Sequence, residues 1–210
     1  MIYVNTIRIL FGIMFTITSL FAQEMKLSLD CSKEEHLTPL AARVSPDGSV
    51  AVFAGNTRRG DCFLSAMDLN NGWLKWRISA NEIGAKYYGL MAFSPDNRSL
   101  LMATSHIKPQ DVILLDLSEG NVIRRYPVET GSLSEIAFGP RGETFFVAGK
   151  TRDGEGILKS CVEIRSLTAD APGSRLTLTG MHGDLDITHM VLSPNDSRMA
   201  LCLGNERIQI

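Results

Sequence analysis

Six basic side chains fall in three short polar stretches: Arg58 and Arg59, then His106 and Lys108, then Lys150 and Arg152. Cations grouped in this way do electrostatic work and make no bonds. They attract an anionic partner, whether a protein surface or a polysaccharide, because clustered charge focuses potential even when net charge is near zero. The net charge here is −2 over 210 residues. That balance speaks against a dedicated nucleic-acid binder, which carries a large positive excess. Asp61, Asp153 and Glu155 share the same stretches and oppose the field, and the same six residues also suit plain solvated loops.

Bond-making chemistry has less to work with. The sequence contains no Gly-x-Ser-x-Gly elbow, no His-Glu-x-x-His pair and no phosphate-binding loop. The histidines, His36, His106, His182 and His189, show no metal-ligand spacing. His182 stands near Asp184 and Asp186. His189 sits in an apolar run and reads as a hydrogen-bonded core histidine. Cys31, Cys62, Cys161 and Cys202 form no Cys-x-x-Cys pair, which argues against zinc. They suit buried thiols and, in an exported chain, disulfides; both readings stand. No cofactor and no metal is expected. Trp73 and Trp76 are placed on one face of a strand, packed against a neighbouring unit. Asn97-Arg98-Ser99 and Asn195-Asp196-Ser197 fit the glycosylation pattern, and both fall in stretches whose turn-forming composition produces such triplets anyway.

The elements that must position these residues are announced by a repeat. Ser45-Pro46-Asp47-Gly48 returns as Ser94-Pro95-Asp96-Asn97, Gly139-Pro140-Arg141-Gly142 and Ser193-Pro194-Asn195-Asp196, with prolines 49, 45 and 54 residues apart. Proline presets φ for a tight turn, and Asp, Asn and Gly tolerate its second half. Short apolar runs flank each copy, such as Leu40 to Val44 before and Val50 to Phe53 after. The run Asp111 to Leu117 is apolar on both faces, which suits a strand covered from both sides. A second turn recurs 48 residues on, in Asp68 to Gly72 and Asp116 to Gly120, with the Asn-Gly hairpin signal in the first copy. Each unit therefore has four antiparallel strands, A to D. Ala54 to Gly60 also matches Ala148 to Gly154 at the spacing of Pro46 and Pro140. The six cations then lie in the B–C turns, on the face opposite the Ser-Pro-Asp turns.

Ile187 to Pro194 resembles the inner strand and turn of the WD-repeat family, and Gly204 to Ile210 resembles the stretch that leads into its Trp-Asp pair. Met67-Asp68 and Leu115-Asp116 stand where that pair is expected, and His182 is one residue off the family's Gly-His position. The resemblance covers roughly residues 36 to 210. Ala66 to Trp76 is similar to a blade of quinoprotein-like propellers, and the Ser-Pro-Asp turns are similar to those of TolB-type propellers. The resemblance implies an all-β chain of β-propeller blades, about three and a half to four of them, at 36–79, 86–128, 132–178 and an incomplete 186–210. Such a chain reads as a fragment of a larger propeller. The other reading is a small closed ring, with Met25 to Leu29 supplying the missing D strand.

Residues 1–22 differ from the remainder. Arg8 precedes an apolar run from Ile9 to Phe21, then small Ala22 and polar Gln23-Glu24. That is the order of a secretory signal, and the run falls short of the roughly 20 residues that span a bilayer. The expectation is an exported chain, periplasmic or extracellular, with residues 23–210 as the propeller and no membrane span after signal removal. Its expected work is non-catalytic: a binding or scaffold module for a protein or anionic partner on the B–C face, without nucleic acid. The alternative is part of a propeller enzyme, a quinoprotein-like dehydrogenase or a hydrolase, with its active residues outside this chain.

Overall fold

The computed structural model describes residues 16–17, 25–26, 38–57, 60–79, 81–83, 87–104, 110–169, 173–178, 185–195, 197–204 and 207–209. Three four-stranded sheets and one three-stranded sheet follow one another along the chain. Blade 1 holds β3 (Thr38–Val44), β4 (Val50–Asn56), β5 (Cys62–Asp68) and β6 (Leu74–Ser79). Blade 2 holds β7 (Tyr87–Phe93), β8 (Ser99–Thr104), β9 (Gln110–Asp116) and β10 (Val122–Val128). Blade 3 holds β11 (Ser132–Phe138), β12 (Thr144–Arg152), β13 (Leu158–Ser166) and β14 (Ser174–Thr177). Blade 4 holds β15 (Ile187–Leu192), β16 (Met199–Leu203) and β17 (Arg207–Gln209). Every pairing is antiparallel and joins consecutive strands. The segment expected to close a small ring does something else: Met25–Lys26 (β2) pairs with Thr16–Ile17 (β1). Most of the proposed signal segment lies outside the described residues.

The recurring turns explain why strands stop where they do. In the first A–B turn, Ser45 Oγ donates to Asp47 Oδ1 at 2.6 Å, Asp47 Oδ1 accepts from Ser49 N, and Ser45 Oγ accepts from Val50 N. The Ser94 turn repeats those bonds through Asp96, and the Ser193 turn repeats them through Asn195. Gly48 and Asn97 take the left-handed conformation at the same place, φ +73° and +59°. The serine hydroxyls hold Asp47 and Asp96 below the ordinary carboxyl value of 3.8. Each turn therefore contributes stability above that value, lost as pH falls through the lowered one. Blade 4 carries an amide at this position and has nothing to protonate. Asp96→Asn is expected to keep the native fold at neutral pH and to shift acid unfolding, followed by circular dichroism, to lower pH; an unchanged acid midpoint would refute this.

Each inner strand breaks register at one place. The shifts lie between Pro39 and Ala41, Tyr87 and Met91, Leu133 and Glu135, and Ile187 and His189. Leu40, Gly89, Ser134 and Thr188 each stand six residues before the turn proline, inside those shifts. Gly89 has φ +96°, a conformation that suits glycine. The bulge is thus part of the repeat and bends every inner strand at the same height.

The core lies between blades. Leu100 and Met102 pack toward blade 1 with Val52, Leu64 and Trp76, whereas Leu101 and Ala103 pack toward blade 3 with Phe145 and Val147. Phe146 and Ala148 turn the other way, to Ile187, Leu201 and Leu203 of blade 4. Alternation along one strand thus feeds two seams, the physical reason for runs apolar on both faces. Side chains of one D strand bond to the next blade's C–D turn. Trp76 Nε1 donates to Leu117 O at 2.9 Å. Arg124, at the matching place in blade 2, donates to Leu167 O and Thr168 O, and Tyr126 Oη joins it on Leu167 O. The ring of Tyr126 meets Phe145 edge-on at 4.9 Å.

The blade 2–3 seam also buries charge. Glu163 is 1% exposed and Arg165 6%. Glu163 Oε1 accepts from Arg165 at 2.7 Å, and its Oε2 accepts from Thr130 Oγ1 and Glu129 N. Arg175 approaches the same oxygen at 3.8 Å and pairs with Glu129 at 2.6 Å. Cys161 lies alongside at Thr130, its thiol pushed up by burial. Cys62, Cys161 and Cys202 are free thiols; Cys31 lies outside the described residues.

Candidate functional site

Two of the expected site residues are among those described; both lie at the end of β12 and both are engaged. Lys150 Nζ reaches Asp186 Oδ1 at 2.8 Å, bridging blade 3 to the start of β15. Arg152 donates to Gly156 O at 2.7 Å within its own hairpin. Arg58, Arg59, His106 and Lys108 lie outside the described residues. The hairpins also differ in length. β4 has seven residues and β12 has nine, so Thr151 and Arg152 remain strand. Thr57 N donates to Asp61 O and Asp153 N to Ile157 O, and Thr57 Oγ1 and Asp153 Oδ1 each accept from the backbone N four residues on. Gly60 and Gly156 take matching φ values of +85° and +81°. Asp153, Gly156 and Ile157 therefore match Thr57, Gly60 and Asp61, so in sequence Gly154 and Glu155 fall opposite Arg58 and Arg59, and the basic character of the first turn does not recur in the third.

Other sequence expectations change as well. His189 is not a core histidine: its side chain is 75% exposed, 3.6 Å from Glu135. Trp73 and Trp76 do not share a face. Positions three apart point opposite ways on a strand of period two, and Trp73 precedes β6 in the turn. Trp73 is 75% exposed and Trp76 8%. Trp76 lies against the C–D turn of blade 2, where a Cβ on Gly120 would come within 2.8 Å of its ring. His182 lies outside the described residues. Asp68 and Asp116, which match the family's Trp-Asp aspartate, cap the C–D turns by accepting from Asn70 N and from Ser118 N and Glu119 N.

The opposite face carries a feature the sequence reading missed. Between blades 1 and 2 an open cleft of about 400 Å³ is lined by Ser49, Val50, Lys75, Asn97, Arg98, Asp116, Leu117 and Ser118. Val50 and Leu117, both buried, give it an apolar floor. Lys75 and Arg98 stand exposed on its walls. Arg98 also helps hold Asp96 ionised. Asp116 is held below its ordinary value, chiefly by the Ser118 hydroxyl, and Asp116 Oδ1 already accepts from Ser118 Oγ and from two backbone N–H groups. The residues that line it carry two cations and one carboxylate, and Asp47 and Asp96 stand beside it on the A–B turns, Asp47 N bonded to Asn97 Oδ1 and Asp96 next to Arg98.

No family model matches the chain, and no curated protein matches it. Solved structures do. The chain is similar to TolB from Acinetobacter baumannii, with a TM-score of 0.58 and 20% identity over 86% of this chain and 40% of that one. It is also similar to the β-propeller domain of Myceliophteria thermophila Cps50 (Swd1), with a TM-score of 0.53 and 15% identity over 79% of this chain and 48% of that one. The chain spans less than half the length of either structure. At these identities the likeness is one of fold. With four consecutive antiparallel sheets joined by apolar seams, the chain has the fold of a run of β-propeller blades.

Proposed function

We propose that this chain is an exported, non-catalytic binding or scaffold module that holds a protein or anionic partner on the turns at the rim of its blades. The observation that carries this reading is the construction of the seams. Apolar side chains and cross-blade hydrogen bonds join each blade to the next, and the polar side chains of the repeated turns are taken up in capping those turns. A body held in this way presents its turns at fixed separations, and preorganised surfaces lose less freedom when they bind. The basic first B–C turn, with Arg58 and Arg59, and the second, with His106 and Lys108, are the proposed contact points on one rim. Lys150 and Arg152 belong to the same rim as internally paired members. The signal-like residues 1–22 support export to the periplasm or exterior. The test uses protein recovered from that fraction, expected to begin at Gln23, applied to an immobilised sulfated polysaccharide. Retention at low salt, lost in Arg58→Glu/Arg59→Glu and undiminished in Arg152→Glu, is the expected result. Equal retention of all three proteins would sink the rim as the contact surface.

A further inference from the structure

The repeat supplies its own control for the cleft between blades 1 and 2. Lys75 precedes Trp76, which pairs with Ala66; the matching residues before Arg124 and Ser174 are Ile123 and Gly173. Arg98 stands three residues after its turn proline, and Glu143 and Ser197 stand there in blades 3 and 4. The fold therefore accepts isoleucine, glycine, glutamate or serine at these places. Only the blade 1–2 seam, among the described residues, sets a lysine opposite an arginine. The seams differ in filling too. Arg124 reaches over the blade 3 turn to two carbonyls, whereas Trp76 gives one bond and tucks its ring beneath Gly120. The cleft beside it is left open. On the same C–D turn and strand, Trp73 is 75% and Leu74 55% exposed.

From this we infer that the cleft is a docking site for an acidic peptide segment of a protein partner, with a carboxylate between Lys75 and Arg98 and an apolar side chain against Trp73. The site is open and shallow, which suits a chain laid across it. Lys75 and Arg98 can each pair with a carboxylate, and Trp73, exposed and two residues before Lys75 in the chain, is a residue type that anchors protein interfaces. The inference rests on the reading of the chain as a binding module but places the contact on the face opposite the B–C turns.

The experiment titrates the whole chain with a fluorescein-labelled peptide of glutamates flanking one leucine, read by anisotropy and by tryptophan emission. Trp76 is buried, so a blue shift on binding reports Trp73. Binding that weakens with salt, by about tenfold or more in Lys75→Glu/Arg98→Glu, and by less than that in Arg58→Glu/Arg59→Glu, is expected. Both cleft positions are exposed, and an unchanged thermal midpoint confirms that the double variant is folded. No binding at low salt would overturn the inference, as would equal binding of the matching lysine peptide. Loss in the rim variant with none in the cleft variant would also overturn it, while leaving the binding-module reading in place.

Discussion

Glu163→Ala is expected to lower stability by about 3–5 kcal/mol, the cost of removing one partner from a buried ion pair. The carboxylate sits in the blade 2–3 seam at 1% exposure and is the shared acceptor for Arg165, Thr130 and the Glu129 backbone N–H. Without it, Arg165 remains at 6% exposure and loses the carboxylate it is paired with. Arg175 cannot compensate, because it is itself a cation, and its partner Glu129 lies at the surface. The measurement is urea unfolding, with the shift in midpoint read at unchanged slope. A companion variant separates the pair from its packing. Glu163→Leu/Arg165→Met removes both charges and retains volume, and such replacements are often close to neutral. A single variant that loses less than about 1 kcal/mol would show that water already reaches the pair.

How much of this was legible in the sequence depends on how local each cause is. The A–B and C–D turns were legible because their bonds run between residues at most five apart, as in Ser45, Asp47 and Val50. The double-faced strand at Asp111 to Leu117 was legible because both faces of β9 are buried from Val112 to Leu115, and an apolar run without alternation says so. The B–C turns were misjudged at the point where β12 runs two residues past the length of β4. The likeness of Thr57-Arg58 to Thr151-Arg152 held in letters while the hairpin slipped. His189 was misread because an apolar strand was assumed to be covered on both faces. Its neighbours on the far face of blade 4, Val191 and Ile208, are 66% and 71% exposed. The cleft was missed because Lys75, Arg98 and Asp116 meet only after blade 1 packs on blade 2. A signal for it was present all the same: charge at positions where the other copies of the repeat carry none or the opposite sign.

Trp76→Ala is the second large effect, expected at about 3–5 kcal/mol for truncating a packed aromatic. Three losses combine at one residue. The indole is the largest side chain that blade 1 contributes to the first seam, where it packs with Leu64, Leu100 and Leu115. Its Nε1 satisfies Leu117 O, a carbonyl buried in the C–D turn of blade 2. Its ring also supports Gly120, which holds φ +78° there and could not carry a Cβ without meeting the indole. Trp76→Phe divides the effect: most of the area stays, and the lost bond at a buried carbonyl is worth about 1–3 kcal/mol. Urea midpoints order the proteins as wild type, phenylalanine, alanine. Emission gives an independent reading, since the variants retain only exposed Trp73 and are expected to shift red even while folded. Because Trp76 is bonded to Leu117, a residue of the cleft floor, and adjoins Lys75, the alanine variant is also expected to weaken the acidic-peptide contact without any change of charge. Full stability in Trp76→Ala would mean that the blade 1–2 seam is not held by this side chain, and the opening of the cleft would then need another cause.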